Sequence, residues 1–431
     1  MKAALHALAL IAVVLFAVPA RPAPPPEGGS PTEGGWYRAT LAIDKAHEIP
    51  FFLWLPDDDE QDAVIRNGLE DIAVLFEREG AHIVLDFPHY DSRIEAELDL
   101  TNHYRGVWRK QRREGVAEMP FAADRLPAPH PLATFSPEFG ARYPLSGASD
   151  TIRFAMAFAE DGPAIASMTL GRRVAGPEFH LREVTGTIQT TTGDYRFLSG
   201  VWESGAGAGR NANDLMLSVF DGAHAFLFAM TESADAGDLA GDFYSGNWFH
   251  DTFTARRLAD GEAYELPDPF SEVSLTAGDG RLHIDALDSP RYHGKPVIVQ
   301  IFGTWCPNCH DETPALVDLY TRYHDDGLEV LGLAYEVTGD DARSRRQVRR
   351  FIERYSIPWD IVIAGTNDKD QSSATLPDLS RVKSFPTTIW IGRDGRVRAI
   401  HSGFSGPATG AAHTALLAEF DRLTRAVVED D

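Results

Sequence analysis

The C-terminal third of this chain is organised around the segment Val297-Ile-Val-Gln-Ile-Phe-Gly-Thr-Trp-Cys306-Pro-Asn-Cys309-His310. Its apolar first half predicts a buried strand, and a turn then leads to Cys306 at the point where a helix begins. Unpaired backbone N–H groups and the positive end of the helix dipole stabilise a thiolate at such a position. We therefore expect Cys306 to be the attacking sulfur.

Cys309 follows Cys306 by three positions, close to one helical turn, so both side chains lie on one helix face. This spacing lets the second thiol resolve a mixed disulfide formed by the first. The 431 residues contain no other cysteine, and a cross-link over so short a loop adds little stability. The pair therefore indicates redox chemistry without a cofactor, or metal binding, rather than a structural disulfide.

Strand and helix patterns alternate on both sides of this segment. Such alternation predicts right-handed crossovers and an α/β sheet with helices on both faces. The expected strands are 297–302, 328–335, 360–363, 387–391 and 397–401, and the expected helices are 306–324, 341–355, 376–382 and 411–427.

Three features together resemble the thioredoxin superfamily, in particular the exported TlpA- and ResA-like thiol reductases. They are the cysteine pair, Pro314 five residues beyond Cys309, and Ser384-Phe385-Pro386-Thr387-Thr388. Pro314 matches the proline that kinks the active-site helix, and Pro386 matches the cis-proline of the family. The resemblance covers about residues 270–431 and implies a thioredoxin fold that exchanges electrons with disulfides of client proteins, most simply as a reductase.

The same resemblance implies roles for individual residues. Pro386 would lie opposite the cysteines and form part of the catalytic site, where a client polypeptide docks as an added strand. A membrane thiol transporter would supply electrons, and cytochrome maturation is one pathway that fits. The expected substrate-binding residues are Trp305, Phe385 and Thr387; the alternative for Trp305 is a packing role at the domain edge.

Two positions depart from the family pattern. Thioredoxin has a buried carboxylate where this chain has Gln300, so the proton acceptor for Cys309 must lie elsewhere. Glu336, at the end of the second strand, is near the position of an active-site glutamate in ResA-like proteins and is our candidate; the alternative is a solvated carboxylate. Pro307-Asn308, between the cysteines, matches neither thioredoxin nor the strong oxidases and leaves the direction of electron flow open.

Other sites fit parts of the same motif. Cys306-Pro-Asn-Cys309-His310 matches a c-type haem attachment site, but such a site requires neither Pro314 nor a cis-proline segment. One C-x-x-C supplies only two zinc ligands, and the threonine-containing context of a peroxiredoxin cysteine is missing. We therefore expect His310 to be a partly exposed helix residue that helps to stabilise the Cys306 thiolate when protonated.

The N-terminal end predicts export. Residues 1–20 have the layout of a secretory signal, with Lys2 before an apolar run and cleavage near Ala20. An uncleaved anchor is the alternative. Residues 21–35 are rich in proline and glycine and predict a solvated linker. The expected location is the periplasm or cell envelope.

Residues 36–262 read as short strands separated by turns, so we expect a mainly antiparallel domain, either a sandwich or a barrel. One helix is expected over residues 61–79. Asp194-Tyr195-Arg196, Asp221-Gly222-Ala223-His224 and His250-Asp251 are interpreted as surface turns. This domain would select or position a partner; alternatively, it would be the working binding module, with residues 268–431 as an accessory redox sensor.

The charge of the chain argues against a nucleic-acid partner. Its 64 acidic and 40 basic side chains give a net charge of −24, which repels polyphosphate backbones. The sequence therefore predicts a multidomain protein whose partners are other proteins.

Overall fold

The computed structural model describes residues 34–58, 60–126, 151–160, 162–176, 179–204, 214–232 and 237–430. The expected signal segment and nearly all of the expected linker lie outside the described residues. Within those ranges, no helix has the length and apolar character needed to cross a membrane.

The first eight strands form a closed barrel, here called barrel 1. They are β1 (Gly35–Ala42), β2 (Glu48–Leu55), β3 (Ala63–Asn67), β4 (Glu70–Glu79), β5 (His82–Phe87), β6 (Ser92–Leu98), β7 (His103–Arg112) and β8 (Gly115–Arg125). Each strand pairs antiparallel with the next, and β8 returns to pair with β1. Side chains alternate between the interior and the outside, and Tyr104 and Trp108 fill the interior.

The expected helix over residues 61–79 is wrong, because β3 and β4 form a hairpin there. Buried side chains recur at every second position, as Ala63 and Ile65 do on β3 and Val74 and Phe76 do on β4. That period is the period of a strand with one buried face, not of a helix.

Nine further strands form a second sheet, and eight of them close into a ring, here called barrel 2. They are β9 (Thr151–Phe158), β10 (Gly162–Gly176), β11 (Phe179–Thr190), β12 (Gly193–Asp194), β13 (Leu198–Ser204), β14 (Asp214–Phe220), β15 (Ala225–Glu232), β16 (Leu239–Ser245) and β17 (Phe249–Arg257). The ring closes because β10 pairs with both β9 and β11, and β9 also pairs with β17. The short β12 is an appendage on β11. The β-rich region is thus two tandem barrels.

Phe220 joins the two barrels. It lies on β14 of barrel 2, yet its ring packs in the core of barrel 1 against Phe51 and Trp108, with ring centroids 4.6 and 5.1 Å away. Asn67 of β3 donates to the Phe220 carbonyl over 2.8 Å and accepts from its N–H over 3.2 Å. The barrels therefore share an apolar contact at Phe220, where the polar backbone groups are satisfied.

The C-terminal domain is built on a five-stranded sheet in the order β20-β19-β18-β21-β22. Its strands are β18 (Val297–Phe302), β19 (Glu329–Glu336), β20 (Asp360–Thr366), β21 (Thr387–Ile391) and β22 (Val397–Ser402), and its helices are α1 (Pro307–Tyr323), α2 (Asp341–Tyr355), α3 (Lys369–Thr375) and α4 (Ala411–Glu429). The central strand β18 runs parallel to β19 and antiparallel to β21. The expected α/β layout is present in this domain.

The third helix of this domain begins and ends earlier in the sequence than predicted. The expected helix over residues 376–382 is not formed; instead α3 ends at Thr375. Asp368 caps the start of α3 by accepting from two backbone N–H groups, and Leu376 has an extended φ of −127°. A residue that precedes a proline, here Pro377, is disfavoured in the helical region, so the helix ends before it.

Candidate active site

The cysteines lie where β18 passes into α1. Cys306 is the residue just before the first helical turn, and its backbone is extended. Its Sγ lies 3.4 Å from the Phe385 carbonyl oxygen. Both cysteines are buried thiols; Cys306 is 6% exposed and Cys309 is 0% exposed. Cys306 is thus the more exposed of the two cysteines.

The loop before β21 faces the cysteines. The peptide bond between Phe385 and Pro386 is cis, as the resemblance implied. The Trp305 and Phe385 rings meet edge to face, with centroids 5.6 Å apart, and the Phe385 carbonyl oxygen faces the Cys306 sulfur. Thr387 is fully buried and donates its hydroxyl to the Ser384 carbonyl, so it shapes the loop from inside rather than offering a surface to a client.

Glu312 is the buried carboxylate of the site, and the sequence reasoning missed it. Its Oε2 accepts from Gln300 Nε2 over 2.8 Å, and its Oε1 accepts from the Thr388 hydroxyl over 2.6 Å. Burial raises the pKa of Glu312 to about 7. The signal was present in the sequence, because Glu312 follows Cys309 by three positions and therefore shares its helix face.

Cys309 is held in its neutral form. Burial, a hydrogen bond with Cys306 and the negative charge of a Cys306 thiolate all raise the pKa of the Cys309 thiol well above its usual range. The charge of Glu312 raises it further. Cys309 therefore needs a base before it reacts, and Glu312 is the carboxylate whose charge acts on it.

Glu336 lies on the other side of the site. Its carboxylate accepts from the Thr304 N–H over 3.1 Å and from the Thr304 hydroxyl over 2.7 Å. Burial raises the pKa of Glu336. It also borders a cavity of about 10 Å³ beside Trp305. This carboxylate is buried rather than solvated, but its hydrogen bonds go to Thr304 and not to a cysteine.

His310 differs from the expectation. It is 5% exposed, and burial lowers its pKa to about 3. Its Nδ1 lies 2.7 Å from the Tyr355 hydroxyl and its Nε2 lies 2.8 Å from the Thr304 carbonyl oxygen. A neutral ring that uses both nitrogens in this way supplies no positive charge to Cys306, and it offers no free nitrogen to a haem iron.

Known proteins resemble this chain. A model of the AhpC/TSA family matches residues 268–400. The thiol-disulfide oxidoreductase ResA of Halalkalibacterium halodurans is 28% identical over 161 residues, which are 37% of this chain and 76% of that protein. ResA of Geobacillus thermodenitrificans is 31% identical over 112 residues, or 26% of this chain and 57% of that protein. The thioredoxin-like protein YneN of Bacillus subtilis is 29% identical over 160 residues, which are 37% of this chain and 82% of that protein.

The C-terminal domain is therefore similar to the TlpA- and ResA-like proteins of the thioredoxin superfamily, as the sequence indicated. The expected enzyme class is confirmed as well, because the named relatives include thiol-disulfide oxidoreductases. The chain spans between 57% and 82% of the length of these relatives.

The turns that were expected at the surface of the β-rich region include residues buried against the thioredoxin domain. Asp194 is 8% exposed and Asp221 is 2% exposed. Arg196 lies 2.8 Å from a carboxylate oxygen of Asp311 on α1. The interpretation as solvated turns is therefore wrong for these three residues, because tertiary contacts cover them.

Proposed function

We propose that this protein is an exported thiol:disulfide oxidoreductase that reduces protein disulfides through Cys306 and Cys309. The observation that carries the proposal is the position of the Cys306 sulfur. It lies at the start of α1, beside the carbonyl that precedes Pro386, and in hydrogen-bond contact with Cys309. A nucleophile, its resolving partner and a docking loop therefore meet at one point.

The exchange proceeds in two steps. Cys306 releases its proton to solvent, and its thiolate attacks one sulfur of the client disulfide, forms a mixed disulfide and displaces a client thiolate, which takes up a proton from solvent. Glu312 then accepts the proton of Cys309, whose sulfur attacks Cys306 and breaks the mixed disulfide. The second client thiolate takes up that proton. The client gains two electrons and two protons, and the chain is left with a Cys306–Cys309 disulfide.

Glu312 supports this mechanism better than Glu336 does. A general base is most efficient when its pKa lies near the working pH, and burial raises the pKa of Glu312 to about 7. Its charge acts on Cys309, whereas the hydrogen bonds of Glu336 engage Thr304. We assign proton transfer to Glu312 and a supporting role to Glu336, which fixes the residues that lead into Cys306.

The reducing direction, the compartment and the partners belong to the same proposal. The clients are proteins with disulfides, which persist outside the cytoplasm, and a membrane thiol protein restores the reduced pair. Equilibration with glutathione tests the direction: a potential near about −270 mV, as in thioredoxin, supports a reductase, and one near about −120 mV indicates an oxidase.

The exchange itself is tested with a small chromogenic aromatic disulfide. Since the chain has two cysteines, the reduced wild type should release two equivalents of chromophore and end as an internal disulfide. Cys309→Ser should stop at a stable mixed disulfide that mass spectrometry detects, and Cys306→Ser should react slowly. If both variants release chromophore as the wild type does, the assignment is wrong.

A further inference from the structure

A segment of the same chain packs beside the cysteine motif. Residues 192–196 of barrel 2, here called the capping loop, lie against Asn308, between the two cysteines, and against Phe404. The carbonyl of Thr192 accepts from the N–H of Phe404 over 3.3 Å. The neighbouring Gly403 donates to the carbonyl of Pro386 over 2.7 Å. The capping loop thus bonds to the segment that adjoins the cis-proline loop.

Two glycines show how closely the capping loop approaches. A Cβ atom on Gly193 would lie 2.2 Å from the side-chain nitrogen of Asn308, the residue between the two cysteines. A Cβ atom on Gly403 would lie 1.9 Å from the carbonyl oxygen of Thr192. A Cβ at Gly403 would collide with backbone, and one at Gly193 would force the Asn308 side chain to shift, so the capping loop lies directly against the motif and leaves no room for a second polypeptide between them.

An ion cluster fixes the capping loop in place. Arg196 contacts Glu70 of barrel 1 at 2.7 Å, Asp311 of α1 at 2.8 Å and Asp221 of barrel 2 at 3.5 Å. The Arg196 side chain is 11% exposed and that of Asp311 is 14% exposed. In addition, Asp194 accepts from the Gly406 N–H. One guanidinium therefore links both barrels to the active-site helix.

Barrel 1 closes the site from another direction. The rings of His89 and Tyr90 lie 6.1 and 5.1 Å from that of His310, and the Pro88 carbonyl accepts from Gln347 of α2 over 3.0 Å. Burial lowers the pKa of Lys110 on β7 to about 8, and a charge on Cys306 opposes that shift. This ammonium therefore lies within electrostatic range of the sulfur.

We propose that the capping loop occupies the client-docking surface in cis, so that a protein disulfide reaches Cys306 only after the barrel pair has moved away from the thioredoxin domain. The inference rests on the proposed disulfide exchange. It gives the barrels a function as a size filter: a small disulfide meets the sulfur in the closed form, and a folded client does not. Apparent reactivity toward a protein is then reduced by the fraction of molecules that are open.

Two variants open the junction without touching the cysteines. Gly193→Leu places a side chain against Asn308, and Gly193 does not have a positive φ, so the backbone tolerates the change. Arg196→Met removes the cation of the cluster. Gly278→Leu is the matched control for the glycine, since a Cβ there meets open space. Arg256→Met is the control for the arginine, because Arg256 forms an exposed ion pair with Glu262.

The full-length proteins are compared on insulin and on a small aromatic disulfide. We expect both opening variants to reduce insulin at least about tenfold faster than the wild type, with the small-disulfide rate within about twofold. Both controls should match the wild type. In parallel, the reduced proteins are labelled with N-ethylmaleimide and with a maleimide on a polymer of several kilodaltons. The polymer should label the opening variants and spare the wild type.

The two proposals fail in different ways. If the wild type accepts insulin and the large maleimide as readily as the opening variants do, the capping loop does not restrict access and this inference is overturned. The same holds if opening the junction lowers the insulin rate, because the loop then assists docking. If no protein exchanges with the small disulfide, the proposed function fails, while the labelling ratio still reports on the loop.

Discussion

Glu312 accepts a hydrogen bond from Gln300 across the interior of the thioredoxin domain, with 2.8 Å between the carboxylate oxygen and the amide nitrogen. Gln300 occupies the position at which thioredoxin has its buried carboxylate. In this chain the carboxylate comes from the active-site helix instead, and the strand supplies the amide that binds it. In the proposed mechanism the proton acceptor for Cys309 is thus on the helix rather than on the sheet.

Replacing Glu312 with glutamine should slow the resolving step and leave the first attack intact. The amide keeps the shape of the side chain but cannot accept the proton of Cys309. We expect the decay of a mixed disulfide at pH 7 to slow by about 100-fold, a typical contribution of a general base. Rapid-mixing kinetics with a chromogenic disulfide separate the two steps.

Glu336→Gln is the matched control for that experiment, because it removes a second buried carboxylate at the same site. Its hydrogen bonds go to Thr304, so the resolving rate should fall much less. A larger loss in Glu336→Gln than in Glu312→Gln would restore Glu336 as the proton acceptor.

Thr388→Val should shift the pH dependence of resolution upward. The Thr388 hydroxyl donates to Glu312 over 2.6 Å, which stabilises the charged carboxylate and lowers its pKa against the effect of burial. Valine removes the donor, so the pKa of Glu312 should rise further, by about one unit for a bond to a charged group. The midpoint of the rate against pH should move to higher pH. Adding Glu312→Gln should abolish that shift; its survival in the double variant would exclude Glu312 as its source.

The thioredoxin domain was accessible from the sequence because its signals are local. The strand Val297–Phe302 and the helix Asp341–Tyr355 have the expected bounds, since apolar runs and helical periods are read within one element. Glu312 was accessible too, from its spacing to Cys309. Glu336 was predicted in its place, because it lies at the end of the second strand, near the position of an active-site glutamate in ResA-like proteins.

The barrels were harder to predict from the sequence, because barrel closure depends on strands that are far apart in the chain. Barrel 1 is closed by the pairing of Leu41 with Phe121, eighty positions apart in the chain, and no pattern within one strand reports it. In both barrels each strand pairs with the next one along the chain, apart from the short β12. The sequence nevertheless shows no visible internal repeat. Arg196 was interpreted as a turn residue for the same reason, because its partner Asp311 lies in another domain.

Acid should destabilise the protein partly through His310. Its pKa is lowered to about 3 in the folded state, against about 6.5 in an unfolded chain. Between these values the unfolded chain binds the extra proton, so the free energy of unfolding falls as the pH drops from 6.5 toward 3. At pH 4.5 the loss from this residue is on the order of 2–3 kcal/mol relative to pH 7.

Urea unfolding of the wild type and of His310→Gln at pH 7 and pH 4.5 measures this term. We expect the variant to lose less stability on acidification than the wild type does, even if it starts lower. His250→Gln, at a half-exposed histidine paired with Asp242, is the control for the loss of an imidazole. An equal acid loss in His310→Gln and the wild type would show that folding does not lower the pKa of His310.

Phe220→Ala should uncouple the two barrels. The residue belongs to a strand of barrel 2, but its ring packs in the core of barrel 1 against Phe51 and Trp108. Its removal therefore leaves a cavity in barrel 1. Truncating a buried phenylalanine costs about 3–5 kcal/mol. Hydrogen exchange resolved by strand should therefore show loss of protection in barrel 1 as well as in barrel 2. Phe154→Ala removes an equally buried ring from the core of barrel 2 alone and should spare barrel 1. If the two variants give the same exchange pattern, Phe220 does not couple the barrels. The two barrels would then have to move away from the thioredoxin domain separately rather than as a pair.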